Sequence, residues 1–142
     1  MISDQNQKDQ LARGQELKRR GEAARRKDGP MARLCYEEAV ALFREASEPL
    51  VLAHTIRHLG DVYHEQGRPD LAEPCLEEAI ALYRSHADES SLDYANAVRS
   101  LAVLRWEQAR ILWEEARALY TGLGIEAGVK ESTARAAALS IR

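Results

Sequence analysis

Internal repetition is what most limits how this sequence folds. MARLCYEEAVALFR (31–44) aligns without a gap on LAEPCLEEAIALYR (71–84), forty residues later. ARILWEEARALY (109–120) aligns on AEPCLEEAIALY (72–83) at a shift of thirty-seven. All three copies carry Glu-Glu-Ala followed by an aliphatic and aromatic end. In the middle copy Ala72, Cys75, Leu76, Ala79, Leu82 and Tyr83 recur at helical steps and share one face. A helix repeated at this spacing cannot bury its apolar face alone, so neighbouring copies must stack. Composition agrees. The protein is 30% charged and only 6% aromatic, and it is rich in Ala, Leu, Glu and Arg, which predicts an all-α fold. A length of 142 residues suits a single domain.

What precedes the middle copy completes the repeating unit. In PLVLAHTIRHLGDVYHEQGRPD (49–70), Leu52, Ile56, Leu59, Val62 and Tyr63 form a second apolar stripe. Ser47 is the expected N-cap, and Pro49 suits a first helical turn. Gly67 should stop this helix and Pro69 open the next. The unit is therefore helix, tight turn, helix.

Leu59-Gly60, Tyr63, Gly67, Ala72, Leu76 and Ala79 resemble the pattern of the tetratricopeptide repeat family. The longer spacing and the AEP at 72–74 are similar to the roughly forty-residue variant of kinesin light chains. The resemblance implies an all-α solenoid of helical hairpins in about three units (about 6–46, 47–86 and 91–121). A capping helix at 125–140 would close it, with Ile125, Val129, Ala136 and Leu139 covering the last open face. It also implies that Gly60, Ala72 and Ala79 let two helices approach while Tyr63 and Leu76 fill the gaps. Pro74 would cost one backbone bond if its helix begins at Pro69.

Two stretches depart from the pattern. The first helix, about 6–26, has only Leu11, Leu17 and scattered alanines for a core face. It carries Arg20 where leucine-glycine is expected and reads as a polar cap. In the third unit SLAVL (100–104) matches HLGDV and RWEQA (105–109) matches RPDLA, but the intervening YHEQG has no counterpart. Residues 92–120 contain no breaker. Apolar positions 98, 102, 109, 112, 116 and 119 keep an alternating three-four phase that only Arg105 interrupts. Two readings stay open: one fused helix of roughly 43 Å, or a pair of helices whose loop is missing. A fused helix would expose its far half and favour a swapped homodimer.

Candidate chemistry is sparse. His54 and His58 are four apart, but HTIRH has Thr55 where a catalytic glutamate would stand, and no third ligand lies nearby. No metal or cofactor is expected. GLGIEAG (122–128) follows a helix rather than a strand, so it predicts a helix end and turn, not a dinucleotide loop. Cys35 and Cys75 occupy equivalent repeat positions and read as reduced core residues. Trp113 takes the place of Leu76 in the third copy and reads as core. Residues 8–27 hold eight basic against three acidic side chains, net +5, and residues 61–89 are net −6. The basic stretch lacks the aromatics that stack on bases, so nucleic acid is not the expected partner; an adaptor using it is one alternative. No leader-like apolar core opens the sequence, and no apolar run approaches the roughly 18 residues that span a bilayer. A cytoplasmic protein without a membrane association is expected.

No nucleophile, base and orienting group come together, so the expectation is a non-enzymatic protein-binding module. The resemblance implies a concave groove lined by each unit's first helix. Its candidate residues are His54, Arg57, Asp61 and His64 on one face, with His58 at the border, and Asn96 and Arg99 from the third unit. Arg57 and Arg99 on neighbouring helices would suit a carboxylate, from an acidic segment or a peptide's C-terminus. A homodimer whose own helices occlude the groove is the other alternative.

Overall fold

The computed structural model describes residues 3–86 and 91–140. Among these residues six helices follow one another: α1 (Asp4–Ala24), α2 (Gly29–Glu45), α3 (Pro49–Glu65), α4 (Pro69–His86), α5 (Leu92–Leu123) and α6 (Glu126–Leu139). The protein divides into two compact units, residues 1–101 and 102–142.

In the first unit α1 packs on α2, α2 on α3, and α3 on α4. Leu17, Phe43, Leu52, Ile56, Ile80 and Tyr83 belong to one buried cluster, which Ala97 of α5 joins. Tyr36, Leu59 and Val62 belong to a second. The hairpins close because small residues oppose large ones. A β-carbon at Gly60 would stand 3.0 Å from the Leu76 side chain, which is fully buried. Gly21 meets the Tyr36 ring in the same way, at 3.1 Å, and a β-carbon at Gly14 would come within 2.6 Å of Phe43. Gly21 therefore does in α1 what Gly60 does in α3, thirty-nine residues earlier, while Tyr36 stands forty before Leu76. Arg20 occupies the aligned position, but the one-residue offset keeps the glycine contact. α1 is accordingly more than a polar cap.

Helix ends follow local chemistry. Gly67, with φ +72°, donates its N–H to His64 O, and Arg68 donates to Tyr63 O. This is the paired-bond ending that favours a left-handed residue after the helix. The α2–α3 turn makes the same bonds, Ser47 N–H to Arg44 O and Glu48 N–H to Phe43 O, with Ser47 at φ +56°. Ser47 is thus the residue that ends α2, not the N-cap of α3. The cap is Glu48, and it makes no side-chain cap bond. Asp28 does cap α2, accepting from Met31 N–H at 3.0 Å. α4 begins at Pro69 and runs on through Pro74, which leaves the Asp70 carbonyl without its helical donor. Side chains tie neighbouring turns, with Gln66 Nε2 donating to Gly29 O and Gln7 Nε2 to Ala46 O, each at 2.9 Å.

α5 is one helix of 32 residues, about 48 Å long. Where YHEQG has no counterpart, the backbone runs on as continuous helix. In the first unit its opening turns join the core: Tyr94 sits edge-on to Tyr83 at 6.4 Å and accepts from Arg84 Nε at 3.0 Å.

In the second unit the latter part of α5 and α6 are joined at Gly124, φ +70°, by the same pair of turn bonds, Gly124 N–H to Thr121 O and Ile125 N–H to Tyr120 O. A β-carbon at Gly128 would overlap the Tyr120 ring, so glycine permits this approach. The Arg135 guanidinium lies 5.9 Å from the centroid of the Trp113 ring. Ser132 and Ala136 are the buried residues of α6. Val129 and Leu139 are half-buried, but Ile125, expected among the covering residues, remains 46% exposed because it lies in the turn ahead of α6. Trp113 is half-buried rather than core.

Candidate groove on α1 and α3

The candidate site lies in the first unit. α3 is held by its apolar face, with Ile56, Leu59 and Gly60 buried and Tyr63 half-buried. Tyr63 donates its hydroxyl to Glu37 Oε1 at 2.8 Å. That fixes the rotation of the helix and turns His54, Arg57, Asp61 and His64 away from the core seam. Thr55 is fully buried, and its hydroxyl donates to Val51 O at 2.8 Å, so it serves packing.

Arg57 is the hub. Its Nη1 donates to Asp61 Oδ2 at 3.0 Å, and its Nη2 lies 3.0 Å from His58 Nε2. Arg25 reaches in from the C-cap of α1. One guanidinium nitrogen holds Glu65 Oε1 at 2.5 Å and lies 4.0 Å from Asp61, and the other stands 3.3 Å from His58 Nδ1. The His58 ring is thus clamped between two cations. A neutral imidazole has one acceptor nitrogen, so it accepts from only one of them. The ring stacks on Tyr36 at 5.8 Å and meets His54 edge-on at 4.6 Å. Burial, then Arg57, His54, Arg25 and Lys18, push the His58 pKa down to about 3. His54 is also held below its ordinary value, by burial first and then Lys18, although Asp93 lies 3.9 Å from its Nε2. Both rings are neutral at physiological pH.

Among the described residues, Tyr36 Oη, His54 Nδ1 and Arg57 Nε are buried and find no hydrogen-bond partner. Burial pushes Tyr36 up to about 12, so its hydroxyl stays protonated and available as a donor.

Of the seven residues read from the sequence, His54, Arg57, His58 and Asp61 form this network. His64 is half-buried in the last turn of α3. Asn96 and Arg99 lie in the opening turns of α5, Asn96 half-buried and Arg99 exposed. Sequence reasoning missed Arg25 and Tyr36. Arg25 was counted with the basic stretch, and Tyr36 fills a core position. The signal for Tyr36 was the repeat alignment itself, which sets a hydroxyl-bearing ring opposite Leu76.

Other candidates resolve into packing and surface pairs. Cys35 and Cys75 are free thiols, and burial pushes Cys75 up to about 11, well above the range of a nucleophilic thiolate. Three arginines of the basic stretch are paired: Arg13 with Glu38, Arg19 with Glu16 and Arg25 with Glu65. Among the described residues no group of three His, Cys, Asp or Glu could hold a metal ion. Among them, too, no helix is long and apolar enough to cross a membrane.

Residues 19–85 match the family model of the tetratricopeptide repeat. No curated protein and no solved structure matches the sequence.

Proposed function

With residues 19–85 belonging to the tetratricopeptide repeat family, a protein–protein interaction fold, we propose that the α1–α3 face around Arg57 binds a segment of another protein. That segment brings a carboxylate, from an acidic residue or from its own C-terminus. The observation that carries this reading is the set of orphaned polar atoms. Tyr36 Oη, His54 Nδ1 and Arg57 Nε are buried without partners on one network. Each such atom costs about 1–3 kcal/mol while it stays unsatisfied. An incoming carboxylate competes with Asp61 for the Arg57 guanidinium. His54 supplies one further polar edge, and His64, Asn96 and Arg99 extend the face along the segment. The protein acts without catalysis, as an adaptor. Three of the eight basic residues of 8–27, Arg13, Arg19 and Arg25, are paired with glutamates, which lowers the charge that stretch offers a polyanion.

Selection from a random peptide library displayed with free C-termini tests this. Enrichment of acidic or C-terminal carboxylate sequences is expected, and Arg57→Gln should abolish it. Neutral or internal sequences enriched equally by both proteins would overturn the reading.

A further inference from the structure

The second unit leaves part of its long helix uncovered. α6 takes the side of α5 that carries Trp113 and Tyr120. Beside that side runs a seam on which Leu112 is 63% and Leu119 61% exposed. Ala102 and Arg105 are also exposed on this seam, and Ala109 and Ala116 are half-buried. These six positions alternate steps of three and four over 102–119, the spacing of a two-helix seam. They span roughly 27 Å. Exposed leucines in a row on a helix mark an interaction surface.

We propose that this seam is filled by the same seam of a second copy, running antiparallel, so that the protein is a two-fold dimer through α5. The pattern complements itself. In one antiparallel register Ala102 faces Leu119 of the second copy, Ala109 faces Leu112, and Ala116 faces Arg105. Every layer then sets a small side chain against a long one, which lets the helices approach closely. The same register brings Arg105 beside Glu115 of the second copy, and the two-fold axis forms that pair twice. A parallel arrangement would instead stack leucine on leucine and Arg105 on Arg105, a like-charge contact. Complementarity of charge and size therefore selects both the partner and its direction.

The origin of the seam lies in the repeat. Leu112 and Leu119 correspond to Cys75 and Leu82 of α4, which pack against the core of the first unit. In the third copy the hairpin has been drawn out into one helix, so these side chains have no such cover within the second unit. A second copy replaces what the fold withdrew.

Sedimentation velocity on the full-length protein is expected to show a species of twice the 15.9 kDa monomer mass at micromolar concentration. Leu112→Glu with Leu119→Glu places charge in the seam and should weaken the dimer about a hundredfold or more. Far-UV circular dichroism checks that the helices persist. Arg105→Glu alone should weaken it about tenfold, and Arg105→Glu with Glu115→Arg should restore it. This charge swap keeps the proposal testable even if the double leucine variant misfolds. A monomer at every concentration, or a dimer indifferent to both sets of substitutions, would overturn the proposal. Peptide selection through Arg57 should be unchanged in the seam variants, so the two readings fail separately.

Discussion

The α3–α4 hairpin and the α5 helix start from related sequences and end as opposite structures. In the hairpin, Gly60 accepts the fully buried Leu76 across a turn that Gly67 closes. In α5 the corresponding stretches, 100–104 and 105–120, lie on one continuous helix. The apolar pattern is nearly the same, so hydrophobic spacing does not decide between them. Five residues do. Where YHEQG supplies a left-handed glycine the backbone reverses, and where it is missing backbone hydrogen bonding runs on. The consequence is energetic as well as geometric, because the hairpin buries Leu76 fully while the fused helix leaves Leu112 and Leu119 exposed.

The largest effect should come from erasing that difference. Inserting Tyr-His-Glu-Gln-Gly between Leu104 and Arg105 should fold α5 back into a hairpin. Spin labels at Ala95 and Tyr120 would then approach from about 37 Å to about 10 Å, read by pulsed electron resonance. An unchanged distance would show that the turn alone does not control the choice.

Truncation should sort the two regions next. Leu76→Ala is expected to lower unfolding stability by about 2–5 kcal/mol, since it empties a closed core. Leu119→Ala, at an exposed position, should change the stability of the dissociated monomer by no more than about 0.5 kcal/mol. Urea titration at dilute protein measures both.

Acidification should weaken the first unit selectively. The unfolded protein protonates His58 near 6.5, while the folded ring accepts the proton only near 3. Below pH 6.5 the unfolded state therefore binds more protons, and stability falls as pH drops. The slope for one proton is at most about 1.4 kcal/mol per pH unit. The urea midpoint should fall between pH 7 and pH 5, and His58→Gln should flatten that fall. An identical slope in the variant would remove His58 as its cause.

The smallest effect compares two turns. Ser47 adopts the left-handed conformation that glycine occupies at 67 and 124. Ser47→Gly should stabilise by about 1 kcal/mol, and Gly67→Ala should destabilise by a similar amount. Thermal melts of the two variants should move in opposite directions.

The sequence alone determined the helical class, the pairing of helices over 47–86 and the possibility of a fused third unit. Its apolar periodicity, turn glycines and repeat spacing are local signals, set by backbone geometry within a few residues. It also placed His54, Arg57, Asp61 and His64 on one helix face, with His58 at its border, because three- and four-residue steps bring side chains together. Ser47 misled because serine is both a common cap and, here, a left-handed helix end, and only the φ angle separates the two. Arg20 misled because a one-residue offset in α1 is invisible to an alignment anchored on α2. What tertiary structure decided was contact across helices: Gly21 against Tyr36, Arg25 against Glu65 and His58, and which polar atoms stay buried without a partner. Those depend on the packing of α1 on α2 and α2 on α3, which no pattern within a single helix encodes.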